Sequence, residues 1–302
     1  MASMATNGSG RRGSARTRPS PAAAETTPST PARRASRGVP ADGMPDTSAR
    51  RVLTILRYLA QHQRPVLASA IARDCHFPRS STYRLLHVME DERFVTYYPD
   101  EGRWGLGLSS YELGTGYLLS DPLARQSMSI LISLAAQTGA FMAIGVLDGT
   151  DAIVSRAHHP ESTTAWADFE PGLRYPAHLT AMGRALLIGR SRGDLIALYG
   201  DRPLARPNDK GPATVDELLE QLREAEERGY AESPIDLADG IWAFAAPVRS
   251  AAGRVVAALT AGFLNEPPTG AAFDTAMAAL LSGAAEISSR LGYRPCDPPV
   301  AG

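Results

Sequence analysis

The sequence predicts an α+β chain in two parts, and three observations carry that prediction. Between Ser48 and Leu106, three short helical patterns run directly into a β-hairpin pattern. From Pro122 onward, helical stretches alternate with strand pairs joined by tight turns, the pattern of a mostly antiparallel sheet with helices packed on it. Hydrophobic side chains make up 44% of 302 residues, enough for roughly two domains with their own cores.

Residues 1–45 stand apart from both. They are rich in Ser, Thr, Pro, Ala and Gly and nearly free of large apolar residues, so they cannot bury enough surface to offset ordering entropy and read as a disordered tail. Seven arginines against Glu25 give residues 1–40 a net charge of +6. The net charge of the whole chain is −1, yet 48–110 holds nine arginines and six carboxylates, whereas 121–302 holds fifteen basic and twenty-two acidic residues. The positive end is the front end, and it is there that attraction to phosphate is expected; a tail that is merely solvated is the rival reading.

The first helix begins at Ser48 behind the possible caps Asp46, Thr47 and Ser48, carries Val52, Ile55, Leu56 and Leu59 on one face, and stops near Gln63-Arg64-Pro65. Ala68 to Cys75 reads as a second short helix with Ile71 and Ala72 inward, and the stretch Cys75-His76-Phe77-Pro78 turns into a third over 79–90. In that third helix Thr82, Leu85, Leu86 and Met89 share an apolar side, while Arg79, Ser80, Tyr83 and Arg84 line the other. One side packs and the other is free to reach a partner. Phe94 to Leu106 then alternates β-formers around Pro99-Asp100-Glu101-Gly102, a hairpin with a polar tip. A helix-turn-helix followed by such a hairpin is a winged helix, with Arg103 placed to meet a phosphate or the minor groove.

In the second part a helix is expected over 122–137, followed by the pair Phe141–Leu147 and Asp151–His158 around Asp148-Gly149. Helices at 180–190, 192–199 and 214–228, strands at 241–248 and 254–263 joined through Ala251-Ala252-Gly253, and a last helix at 271–291 complete the pattern. A helix-free side of that sheet would hold a ligand under long loops. The helix opening at Thr180 leaves the amides of Ala181, Met182 and Gly183 free to face an anion, although Thr180 also reads as an ordinary N-cap.

Six segments of this chain resemble the IclR family of bacterial transcriptional regulators: SARRVLTILRYLA, ASAIARDCHFPRSSTYRLL, RWGLGLSSYELG, PGLRYPAHLTAMGRALL, ERGYAESPIDLADGIWAFAAPV and AAEISSRLGYRP. The resemblance implies an N-terminal winged helix that binds double-stranded operator DNA, a linker helix and a GAF-like C-terminal effector-binding domain. The boundaries it implies are 46–107, 108–120 and 121–295, with a disordered end at 296–302. It further implies a homodimer or tetramer, most members being repressors, with an inverted repeat as the operator. DNA contacts would fall on Arg79, Ser80, Ser81, Tyr83 and Arg84, with Arg103 in the wing. Effector contacts would fall on Thr180, Ala181, Met182, Gly183, Ser233, Asp236, Ala243 and Thr260.

Two departures from the family pattern matter. His76 stands where glycine is usual in the turn, and histidine is among the few other residues enriched at positive φ. Ser233 stands where the family usually has an acidic residue and Ala243 where it often has cysteine, which makes the pocket more apolar and points to a small organic acid with an aromatic or alkyl body.

Other classes fare worse. Cys75 and Cys296 are the only cysteines, so neither a disulfide framework nor a thiolate metal site is available. Adjacent His158 and His159 would point to opposite faces of a strand. Gly105-Leu106-Gly107 lacks the third glycine of a nucleotide loop and reads as a strand-to-helix junction, and no nucleophile elbow or zinc helix is present. No cofactor, metal or catalysis is expected. A DNA binder without an effector, which would bind all sequences equally, remains the alternative, with a small-molecule enzyme a more distant one. Trp166, Phe169 and Trp242 read as core or as pocket wall. With no apolar run near ~20 residues and no apolar leader, the expected location is the cytoplasm.

Overall fold

The computed structural model describes residues 47–62, 64–160, 169–206, 210–233, 241–264 and 267–294. The basic tail 1–45, the end 296–302, Trp166 and Asp236 lie outside them.

The front part packs α1 (Ser48–Ala60), α2 (Ala68–Asp74) and α3 (Arg79–Asp91) on a three-stranded sheet of β1 (Val66–Leu67), β2 (Val95–Tyr98) and β3 (Arg103–Leu106), in the order β1-β3-β2. Thr47 caps α1, its hydroxyl accepting the Arg50 amide at 3.3 Å. The core holds Ile55, Leu59, Ile71, Leu85, Leu86 and Met89, closed by Trp104 at 2% exposure. Trp104 meets the Tyr97 ring at 5.0 Å and the His87 ring at 5.4 Å, so the wing hairpin is bolted to α3 by aromatic contacts.

The turn between α2 and α3 shows how the chain manages without glycine. His76 adopts φ 58°, its amide donates to the Arg73 carbonyl at 3.2 Å, and the Phe77 amide donates to Ala72 at 2.8 Å. This is a Schellman cap, the pattern that normally takes glycine at the left-handed position. Arg93, at φ 60°, repeats it at the end of α3, with bonds from Arg93 to Glu90 and from Phe94 to Met89, both 2.8 Å.

A helix α4 (Leu108–Ser120) leads into α5 (Pro122–Thr138), which is capped by the Asp121 side chain on the Leu123 amide at 3.0 Å and ended by Gly139 at φ 67°. The rest builds on a six-stranded, wholly antiparallel sheet. Its strands are β4 (Phe141–Asp148), β5 (Asp151–His158), β6 (Arg174–Pro176), β7 (Ala231–Glu232), β8 (Ile241–Arg249) and β9 (Val255–Leu264), ordered β6-β5-β4-β9-β8-β7. The helices are α6 (Ala181–Leu187), α7 (Arg192–Tyr199), α8 (Val215–Arg228) and α9 (Ala271–Arg290).

Two expectations are corrected here. The helix expected over 180–190 stops at Leu187, because Ile188 turns to ψ 137° and Gly189 to φ 78°. Among the described residues the sheet also has helices on both sides. Residues of α5 and α9 cover the face that carries Met142, Ile144, Phe244 and Leu259, and α6 covers the face that carries Phe141, Ala143, Ala245 and Ala258. On its outer side α6 packs against α7 and α8 through Leu187, Leu195, Leu218 and Leu222. The physical sign was available: Phe141 to Gly145 is an unbroken buried run, as a strand covered on both faces should be.

Two glycines allow this close packing. A Cβ on Gly183 would collide with the backbone of Ala177, so the 3-10 turn over Ala177–Leu179 can fold directly against α6. A Cβ on Gly145 would collide with the Met182 thioether, which lies flat on β4 beside a bulge at Ile144/Gly145.

Candidate functional site

The α3 surface is divided as its period requires. Thr82, Leu85, Leu86 and Met89 are buried, and Arg79, Ser80, Tyr83 and Arg84 are exposed, with Ser81 half-buried at the flank. The exposed face is centred on Ser80, Arg84 and, one turn on, His87. The sequence reading missed His87, although its spacing from Arg84 carried the signal. Neither Arg79 nor Arg84 has an ion pair or side-chain hydrogen bond among the described residues. Arg79 also lines a cleft of about 280 Å³ with Ser69, Ala72, Arg73 and Phe77, between α2 and the start of α3. The first-turn amides of α3 open beside it, a combination suited to a phosphate.

Arg103 is placed differently. It pairs in register with Tyr98 and Leu67, its Nη1 donates to the Pro65 carbonyl at 3.2 Å, and its Nε lies 3.8 Å from Glu101. It braces the three-stranded sheet, and the tip beyond it carries Asp100 and Glu101, which repel phosphate.

The other expected residues, Asp236 apart, gather on one face of the large sheet. The strand register sets Ser233, Ala243, Gly262 and Phe141 in one row and Ala231, Ala245, Thr260 and Ala143 in the next. The start of α6 lies over these rows, with Ala181, Met182 and Gly183 all buried. Thr260 is 5% exposed and its hydroxyl has no hydrogen-bond partner among the described residues. The Ser233 hydroxyl donates to the Leu179 carbonyl at 3.4 Å, and Ala243 is half-buried beside it.

Thr180 caps α6: its Oγ1 accepts the Gly183 amide at 3.0 Å. That leaves only the amides of Ala181 and Met182 for a ligand, fewer donors than the spacing suggested. An aromatic wall closes the near end, where the Phe141 ring lies 5.4 Å from Phe169 and 5.1 Å from His159, and Phe169 stacks on Tyr175 at 5.6 Å. Trp242, in contrast, is 42% exposed on the opposite face of its strand from Ala243. His159 sits 3.3 Å from Glu170. Behind α6, burial lowers the pKa of His178, whose Nε2 meets the Ala205 carbonyl at 2.9 Å.

Among the described residues no cluster of His, Cys, Asp or Glu is arranged to hold a metal ion, and no helix is long and apolar enough to cross a membrane.

A family model for the bacterial transcriptional regulator IclR C-terminal domain matches residues 115–289, and the IclR helix-turn-helix model matches residues 48–99. The chain belongs to the IclR family. It is a DNA-binding transcriptional regulator, and the family and its named relatives are regulators, not enzymes. The IclR relatives include the HTH-type transcriptional regulator KdgR of Dickeya chrysanthemi, 28% identical with 83% of each chain covered. The HTH-type transcriptional repressor AllR of Salmonella paratyphi A is 26% identical, covering 83% of this chain and 91% of that one. The IclR fold is shared with a solved homologue from Microbacterium hydrocarbonoxydans in complex with 4-hydroxybenzoate. Its TM-score is 0.70 at 21% identity, covering 81% of this chain and 99% of that one.

Proposed function

We propose that this regulator is a cytoplasmic repressor that binds an inverted-repeat operator as a homodimer or a tetramer and changes its affinity when a small organic acid binds the C-terminal part. The observation that carries the DNA reading is the α3 face, where Arg79 and Arg84 flank Tyr83 with no partner of their own among the described residues. Arginine held this way reaches guanine or phosphate with its donor fork intact. Ser80 and Ser81 would add hydrogen bonds. The bracing role of Arg103 favours a backbone contact at most. The working division is 46–107 for DNA, 108–120 for the linker and 121–295 for the effector, with the tail 1–45 adding sequence-neutral attraction to phosphate.

Pairing of two chains is supported by α4. Leu108, Tyr111, Leu113, Tyr117 and Leu119 are each more than half exposed, an unusual concentration of apolar surface on one short helix. Full burial of one such side chain is worth about 1.5–3 kcal/mol, enough over several to hold a dimer.

The effector reading rests on the face shared by Thr180, Ala181, Met182, Thr260, Ala243 and Ser233, walled by Phe141 and Phe169. Its few polar groups and its rings suit an aromatic acid such as benzoate better than a short keto acid, whose carbonyls would be left unpaired. The 4-hydroxybenzoate held by the Microbacterium homologue is in keeping with that class. Fluorescence anisotropy of the chain on its selected operator, titrated with benzoate and with pyruvate, tests it: benzoate should shift DNA affinity at the lower concentration. A stronger response to pyruvate would remove the apolar-wall argument.

A further inference from the structure

Arg184 is the fourth residue of α6 and is 6% exposed, the one buried arginine or lysine among the described residues. Its Nη1 donates to the Glu232 carbonyl at 3.3 Å. Its Nε and Nη2 are both buried and have no hydrogen-bond partner among the described residues. These two nitrogens form one edge of the guanidinium, with parallel N–H bonds spaced to meet both oxygens of one carboxylate. The atom already used is the odd one out, and the fork is idle.

No carboxylate among the described residues is in direct contact with it. Burial is the main influence on the group and lowers its pKa to about 10; Glu232 and Glu224 oppose that effect and Arg228 adds to it. The Glu232 carboxylate is already engaged by Arg228 at 3.0 Å. The adjoining His178, also 6% exposed, has an Nδ1 with no partner among the described residues and offers no negative charge. A buried cation with its strongest donors unused is a costly arrangement that a leucine or methionine at this position would avoid.

The start of α6 is a weak anion site by itself. The helix has seven residues and its Gly183 amide is spent on Thr180. A charged partner is needed for tight binding of an acid, and Arg184 stands one residue from the Ser233 contact: its Nη1 holds the Glu232 carbonyl while the Ser233 hydroxyl holds that of Leu179.

We propose that the Nε–Nη2 edge of Arg184 binds the carboxylate of the effector in a bidentate pair, making Arg184 the group that restricts the ligand to acids. This rests on the small-acid reading above and adds the residue that supplies its charge.

The test compares the full chain with Arg184→Met and Arg184→Lys, using thermal melting without ligand and calorimetry with benzoate and the neutral analogue benzamide. Arg184→Met should melt at or above the wild-type temperature, since it removes an unsatisfied buried cation. It should bind benzoate at least tenfold more weakly and benzamide unchanged. Arg184→Lys keeps the charge without the fork and should be intermediate; it also serves if the Met variant does not fold. A sharp fall in melting temperature in both variants, with benzoate binding kept, would show an arginine paired within the chain and overturn the proposal. Unchanged benzoate affinity in a stable Met variant would do the same while leaving the small-acid reading intact. No binding of any acid by the wild type would remove both.

Discussion

The Ser110 hydroxyl donates to the Phe94 carbonyl at 2.8 Å, tying the first turn of α4 to the loop that ends α3. The Gly107 amide donates to the same carbonyl at 2.8 Å, the Ser109 amide to Arg93 at 3.0 Å, and a Cβ on Gly107 would collide with the Arg93 carbonyl. The junction between α4 and the winged helix is therefore a clamp. Ser110→Ala is expected to lower stability by about 1 kcal/mol and to loosen the coupling between effector binding and DNA affinity. Urea unfolding measures the first effect and operator titration with and without benzoate the second.

If the junction is stiff, the flexible point lies further along α4. Gly114 and Gly116 are exposed, and a Cβ on either meets nothing within 4 Å. Each glycine weakens the helix by about 0.8–1.0 kcal/mol relative to alanine. The double variant Gly114→Ala, Gly116→Ala should raise the melting temperature and bind both ligands normally, yet reduce the effect of effector on operator affinity. An undiminished effect would place the hinge elsewhere.

The positive φ of His76 sets a third expectation. A side chain in the left-handed region costs about 1–2 kcal/mol. His76→Gly removes that strain at some cost in unfolded-state entropy and should stabilise the protein by about 0.5–1 kcal/mol, read as a higher denaturant midpoint. A lower midpoint would mean that the imidazole makes a contact that outweighs the strain.

The buried His178 makes stability depend on pH in a definite direction. Burial lowers its pKa below the ordinary 6.5, with Arg184 adding to the shift and the Ala205 carbonyl and Asp151 opposing it; the Tyr199 ring lies 5.4 Å away. As pH falls below 6.5 the unfolded chain takes up the proton before the folded one. Stability is thus fully present above that pH and lost below it, by at most about 1.4 kcal/mol per pH unit. Urea unfolding at pH 8 and pH 5.5 should show the loss, and His178→Gln should lessen it.

Much of this was legible in the sequence because it rests on local patterns. The periodicity of α3 separated Thr82 and Leu85 from Ser80 and Arg84, and Asp148-Gly149 marked the β4–β5 hairpin. What escaped depends on distant packing. Strands β1, β6 and β7 have two or three residues each and exist only because a longer neighbour pairs with them. Nothing in Gly183-Arg184-Ala185 marks Arg184 as buried; it is buried because β7, almost fifty positions later, lies against it. Thr260 joins Ala243 and Met182 only through the sheet register, and Asp236 lies outside the described residues.

The regulator reading stands or falls on α3. Selection of binding duplexes from a random pool, followed by affinity measurement for wild type and Arg84→Ala, tests it most directly. The wild type should enrich an inverted repeat, and Arg84→Ala should lose about 1–3 kcal/mol on that repeat with relaxed preference at one base pair per half-site. A pool with no symmetric motif, or a variant that weakens equally on every duplex while melting lower, would contradict it.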